Sequence, residues 1–142
     1  MNRIVGIILL AALLLFAGCA QKEASTQVQV TQAPQVVKVE YRGITPQELK
    51  AMLDSGEDIF LLDVHIPEQT HIRGTDAFIP YNQIKRYADR LPKDKSTKIV
   101  VYCKTGPMSF PAIKALYELG YTNVYYLKGG IVAWQRAGYP VP

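Results

Sequence analysis

The sequence predicts an α/β fold, a doubly wound parallel sheet flanked by helices on both faces. Two short runs, IFLLD at 59–63 and KIVVY at 98–102, are too continuously apolar for strands with one wet face, so both of their faces must be covered. Helix and strand signals alternate from residue 45 to the end with short connections, the pattern of repeated strand-helix units. A third strand signal at 123–127 and a last helical stretch continue the alternation.

Each element has its own local reason. Residues 36–39, Val-Val-Lys-Val, can open the sheet as a first strand. Thr45-Pro46-Gln47-Glu48 is a capping box with proline at the first helical position, and Ile44 and Leu49 stand where a hydrophobic staple closes. A helix therefore starts at Pro46 and ends near Asp54, and Ser55-Gly56 turns the chain into the strand 59–63. A loop over 65–80 leads to a short helix around 82–90, and the polar turn PKDKST enters the strand 98–102. Ser109 is placed as the N-cap of the next helix, whose face of Ile113, Leu116, Tyr117 and Leu119 stops at Gly120. After the strand 123–127, Gly129-Gly130 turn into a helix over 131–137 that Gly138 closes.

The first residues read as an address. Arg3 precedes an apolar stretch, 4–17, shorter than the roughly 20 residues that span a bilayer, and Gly18 leads into Cys19. The segment resembles the lipobox of prokaryotic lipoproteins. That resemblance implies a signal peptide over 1–18, a lipid on Cys19, and an exported, membrane-anchored chain facing the periplasm or cell exterior. Residues 19–39 are rich in Gln, Thr and Val with no aromatic residue, so they are expected to form a flexible tether, and 40–142 one domain. Removing Arg3 with the leader lowers the formal charge from +4 to +3. The cations between Lys85 and Lys98 are interleaved with Asp89 and Asp94, which suits a solvated face, and no nucleic-acid partner is expected.

There are two cysteines, and with Cys19 lipidated Cys103 has no partner for an internal disulfide. Cys103 ends a strand, where sites gather in doubly wound sheets, and precedes a helix whose free N–H groups and dipole favour an anion. A thiolate, a persulfide or a bound oxyanion gains there. Lys104 adds a cation, Thr105 and Ser109 bring hydroxyl donors, Gly106 allows tight curvature, and Pro107 withholds an N–H. The competing reading is a cysteine packed as a small hydrophobe. A metal site from His65, His71 and Cys103 lacks any close-spaced ligand motif, so neither metal nor cofactor is expected.

The stretches IVVYCKTGPMSF at 99–110 and LGYTNVYYLKGGIVAWQRAGYPV at 119–141, with FLLDV, HIRG and IP upstream, together resemble a single rhodanese domain over 41–141. The resemblance implies a sulfurtransferase in which Cys103 accepts a sulfane sulfur from a donor such as thiosulfate and passes it to a thiol or cyanide-like acceptor. The loop 104–109 then binds the donor. Where active members commonly carry an arginine, this chain has Met108. Related phosphatases and arsenate reductases would need an arginine at 109, which is Ser109, so phosphoryl transfer is disfavoured. His65 replaces a frequent arginine after the strand; it either tunes the thiol and binds the donor or decorates a loop. His71 matches a position that serves loop structure, and Asp63 is read as an anchor for that loop rather than as a catalytic carboxylate.

Three functional classes stay open at this stage. The first is an exported sulfurtransferase or sulfur carrier with a persulfide on Cys103. The second is a non-catalytic binding module that presents the domain to a protein partner at the membrane surface. The third is thiol exchange, which a lone cysteine could carry only as far as a mixed disulfide.

Overall fold

The computed structural model describes residues 33–142. The expected leader 1–18, Cys19 and the expected tether up to residue 32 lie outside the described residues. A compact unit spans Gln35–Pro142. It contains strands β1 (Arg42–Ile44), β2 (Ile59–Asp63), β3 (Ala77–Phe78), β4 (Lys98–Tyr102) and β5 (Val124–Leu127), and helices α1 (Pro46–Asp54), α2 (Ser109–Glu118) and α3 (Gly130–Arg136). The five strands form one sheet in the order β1-β5-β4-β2-β3, with every pair parallel. Among the described residues no helix is long and apolar enough to cross a membrane.

Strand alternation sorts the core into two layers. Leu61, Val100, Tyr102 and Leu127 face the layer that holds Leu49 of α1 and Ile131 and Trp134 of α3. Leu62, Ile99, Val101, Cys103 and Val124 face Ala112, Ile113 and Leu116 of α2, together with Ile84 and Leu91. Helices therefore cover both faces, as the unbroken apolar strands predict. The same alternation fixes the direction of residue 103: one step beyond Tyr102, it points toward α2.

The capping box forms as read. Glu48 N–H donates to Thr45 Oγ1 at 3.1 Å, and Thr45 N–H donates to Glu48 Oε2 at 2.7 Å. The first strand differs from expectation. Residues 36–39 carry no strand, and β1 begins at Arg42, whose guanidinium donates to Thr122 O at 2.8 Å and to the Tyr125 and Tyr117 hydroxyls. That anchor sets the register, Arg42 opposite Tyr125.

The helix expected at 82–90 shrinks to a 3₁₀ turn, Ala88–Arg90. Only Ile84 and Leu91 bury there, and a short buried face gives a helix little reason to persist. Inside the loop 65–80 lies β3, which pairs Ala77 with Leu62 and Phe78 with Asp63. Two residues carry no periodicity for a sequence to display.

Tyr102 ties this loop to the sheet. Its buried hydroxyl accepts the Ile72 N–H at 3.0 Å and lies 2.8 Å from Thr75 Oγ1, which donates to Ile72 O at 2.7 Å. Burial pushes the phenol well above its ordinary range. Tyr102→Phe leaves the buried Ile72 N–H without its acceptor, and should cost about 1–3 kcal/mol in chemical denaturation.

Candidate active site

The loop 103–108 leaves β4 and enters α2. Gly106 makes the sharp step at a φ of 128°, where side-chain-bearing residues are rare. Its N–H donates to Cys103 Sγ at 3.0 Å. Cys103 is a free cysteine, 1% exposed. The sulfur thus sits among hydrocarbon from the α2 layer with one backbone amide aimed at it, beneath the start of a ten-residue helix that has no acidic residue in its first turn. The amide and the helix start each bring partial positive charge to this end of the loop.

The opposite side of the loop is held by α3. Ile131 N–H donates to Cys103 O at 2.9 Å, and Val132 N–H donates to Lys104 O at 3.1 Å. In a trans peptide the C=O and N–H point in opposite directions. Pulling those two carbonyls toward α3 turns the Lys104 and Thr105 N–H groups away from it. The approach is close enough that a Cβ on Gly130 would lie 2.5 Å from both oxygens, and Gly130 has a φ of 61°. The sequence reading uses Gly129-Gly130 only as a turn. Two adjacent glycines before a helix were the available signal for a tight backbone contact.

The candidate binding residues distribute unevenly. Lys104, Thr105 and Pro107 are exposed, Gly106 and Ser109 are buried, and Met108 is half-buried against the α2 layer. Ser109 is the first residue of α2 rather than its N-cap. Gly106 turns the chain so early that Met108 already has helical angles and Ser109 N–H donates to Gly106 O at 3.0 Å. The Ser109 hydroxyl, fully buried at the head of the helix, has no hydrogen-bond partner.

His65 does not hydrogen-bond to Cys103. Its Nδ1 donates to Pro67 O at 2.8 Å, and its backbone N–H donates to Asp63 Oδ1 at 3.0 Å. Asp63 is fully buried and organises the whole segment: His71 Nδ1 lies 2.8 Å from Oδ2, and Gln69 Nε2 lies 3.3 Å from each oxygen. His71 Nε2 lies 2.9 Å from Glu68 Oε1. Desolvation lowers the His71 pKa, but the hydrogen bonds from both ring nitrogens to carboxylates outweigh it and raise the net value above the ordinary 6.5. Among the described residues no group of three His, Cys, Asp or Glu could hold a metal ion.

Two outcomes test this geometry. Gly130→Ala should cost about 1–3 kcal/mol and speed native-state alkylation of Cys103, because the loop is pushed off the sulfur. Gly56→Ala, at a similar φ of 70° but in open space, measures the strain alone. Because folding raises the His71 pKa, its contribution to stability is complete below about pH 6.5 and is lost as pH rises through the folded value. Thermal midpoints should fall over that interval, and His71→Asn should flatten the profile.

Comparison with known proteins places this arrangement. The rhodanese-like domain family matches residues 45–137. A probable adenylyltransferase/sulfurtransferase MoeZ from Mycobacterium tuberculosis is 39% identical over 102 residues, which are 68% of this chain and 25% of that protein. The chain thus spans a quarter of that relative's length. A sulfurtransferase from Allochromatium vinosum is 35% identical over 101 residues, 69% of this chain and 92% of the relative. The crystal structure of a rhodanese-related protein from Thermoplasma volcanium matches with a TM-score of 0.61 and 30% identity, covering 72% of this chain and 98% of that one. With its parallel sheet, its cysteine at a strand end and a family match across the folded unit, this chain belongs to the rhodanese-like domain family.

Proposed function

We propose that the chain is a sulfurtransferase or sulfur carrier that holds a persulfide on Cys103, exported and anchored by a lipid on Cys19. The observation that carries the chemistry is the Gly106 N–H donated to Cys103 Sγ at 3.0 Å at the head of α2. In the donor step the Cys103 thiolate attacks the outer sulfur of a donor such as thiosulfate. A new S–S bond forms to Sγ, the donor's own S–S bond breaks, and sulfite departs with the electron pair. An acceptor thiolate then attacks the outer sulfur of the persulfide, and Cys103 leaves as thiolate. No cofactor enters either step.

The unpartnered Ser109 hydroxyl and the single Gly106 amide on Sγ suit a singly charged persulfide, and exposed Lys104 can attract the anionic donor. Sulfurtransferase relatives that share most of the domain support the same reading. The anchored location rests on Arg3, the apolar run 4–17 and the Gly18-Cys19 junction. A binding module without turnover is the second reading, favoured by a sulfur only 1% exposed and by Met108 at the place of the usual arginine.

Intact-mass analysis separates the two. After incubation with thiosulfate or inorganic polysulfide, the protein should gain the mass of one sulfur atom, and dithiothreitol should remove it. Cys103→Ser should gain nothing. An unmodified wild-type protein, or the same gain on the variant, selects the binding module.

A further inference from the structure

Large apolar side chains left exposed among the described residues are few and grouped: Val36 at 95%, Val37 at 42%, Tyr41 at 50% and Phe110 at 38%. Three belong to the segment by which the chain enters the domain, and the fourth lies in the first turn of α2, directly after the sulfur loop. Tyr41 packs edge-on against Phe110, with ring centroids 5.4 Å apart, and Phe110 packs likewise on Tyr126 at 5.1 Å. The aromatic surface is thus continuous from the entry segment to the head of α2. Lys104, in the loop just before it, is exposed and has no carboxylate partner among the described residues.

We propose that Tyr41 and Phe110 form a face that docks on the lipid surface to which the chain is anchored, bringing the sulfur loop beside the headgroups. The inference rests on the lipid at Cys19 proposed above. Tyr41 stands 22 positions beyond Cys19, so the patch begins within about 80 Å of the bilayer in any conformation of the intervening chain. Confinement at that distance makes docking an intramolecular event, for which a patch too weak to bind from solution suffices. The chemistry fits a lipid interface: tyrosine presents an apolar ring with a polar tip at the headgroup level, and a free lysine attracts anionic headgroups. A sulfur donor or acceptor then reaches Cys103 along the membrane surface.

The test places a reporter on the patch. The full-length chain, wild type and Tyr41→Trp, is reconstituted in vesicles of phosphatidylethanolamine and phosphatidylglycerol with or without brominated acyl chains. Trp134, the single native tryptophan, is 3% exposed in the opposite core layer and provides the baseline. The introduced indole should shift to shorter wavelength and be quenched by brominated lipid well beyond Trp134, and adding Phe110→Gln should reduce that quenching. Quenching no greater than that of Trp134 overturns the proposal and assigns the patch to a protein partner. The mass of the N-terminal peptide reads the anchor separately. If it carries no acyl group, the anchored reading fails, and the same quenching is measured on chain captured by an N-terminal histidine tag on nickel-chelating lipids.

Discussion

The sulfur loop depends on the grip of α3 on two carbonyls. Ile131 and Val132 offer amides that the first turn of a helix cannot satisfy internally, and Cys103 O and Lys104 O accept them. One contact thereby satisfies groups on both elements that would otherwise be buried and unpaired, which would cost about 1–3 kcal/mol each. It also sets the peptide planes of the loop before any ligand arrives. The absence of a Cβ at Gly130 is what lets the two backbones approach this closely. The Gly106 N–H to Sγ bond completes the turn from the other side, so the polar contact to the sulfur comes from main chain while apolar side chains of the α2 layer enclose the rest.

That division of labour explains what could be read in advance. Apolar runs at 59–63 and 98–102 and the capping box at Thr45 are local signals with one strong physical meaning each, and the corresponding elements form at those bounds. The cysteine was legible because a strand end followed by a glycine-containing loop and a helix is itself a local pattern. The α3 grip was not, since it joins positions 103–104 to 131–132 through backbone atoms that every residue type possesses. Arg42 shows the same limit: Val36 to Val39 had the better strand composition, yet hydrogen bonds to Thr122 O and to the Tyr117 and Tyr125 hydroxyls decide where pairing begins. Ser109 looked like a cap because its composition fits one, and the early turn at Gly106 moved it a residue into the helix.

The segment after β2 is built on a different principle, with a buried charge as its centre. Asp63 is fully enclosed and survives there because His65 N–H, His71 and Gln69 surround it with donors. Removing one partner of such a cluster exposes the rest to an unpaired buried charge, so the cluster holds the segment in one shape. His65, with its ring turned to Pro67 O, belongs to that segment's own hydrogen bonding. Tyr102 fastens the far end of the same segment through Ile72 and Thr75, one residue before the sulfur. The segment after β2 is thereby held by the Asp63 cluster near its start and by Tyr102 farther along, while the sulfur loop is held by the terminus of α3.

The bracing bears on what the sulfur can do without a guanidinium. Thiosulfate is a dianion, whereas a cysteine persulfide carries one negative charge, and a cation about 4 Å from a unit charge contributes on the order of 4 kcal/mol at an effective dielectric of 20. On the proposed reading, Met108, packed against the α2 layer where active members commonly carry arginine, weakens binding of a dianionic donor more than storage of a persulfide, and exposed Lys104 is the cation the loop retains. In the proposed persulfide the backbone amide on Sγ meets the single charge. If the proposed persulfide chemistry holds, this charge argument favours less charged sulfane donors over thiosulfate.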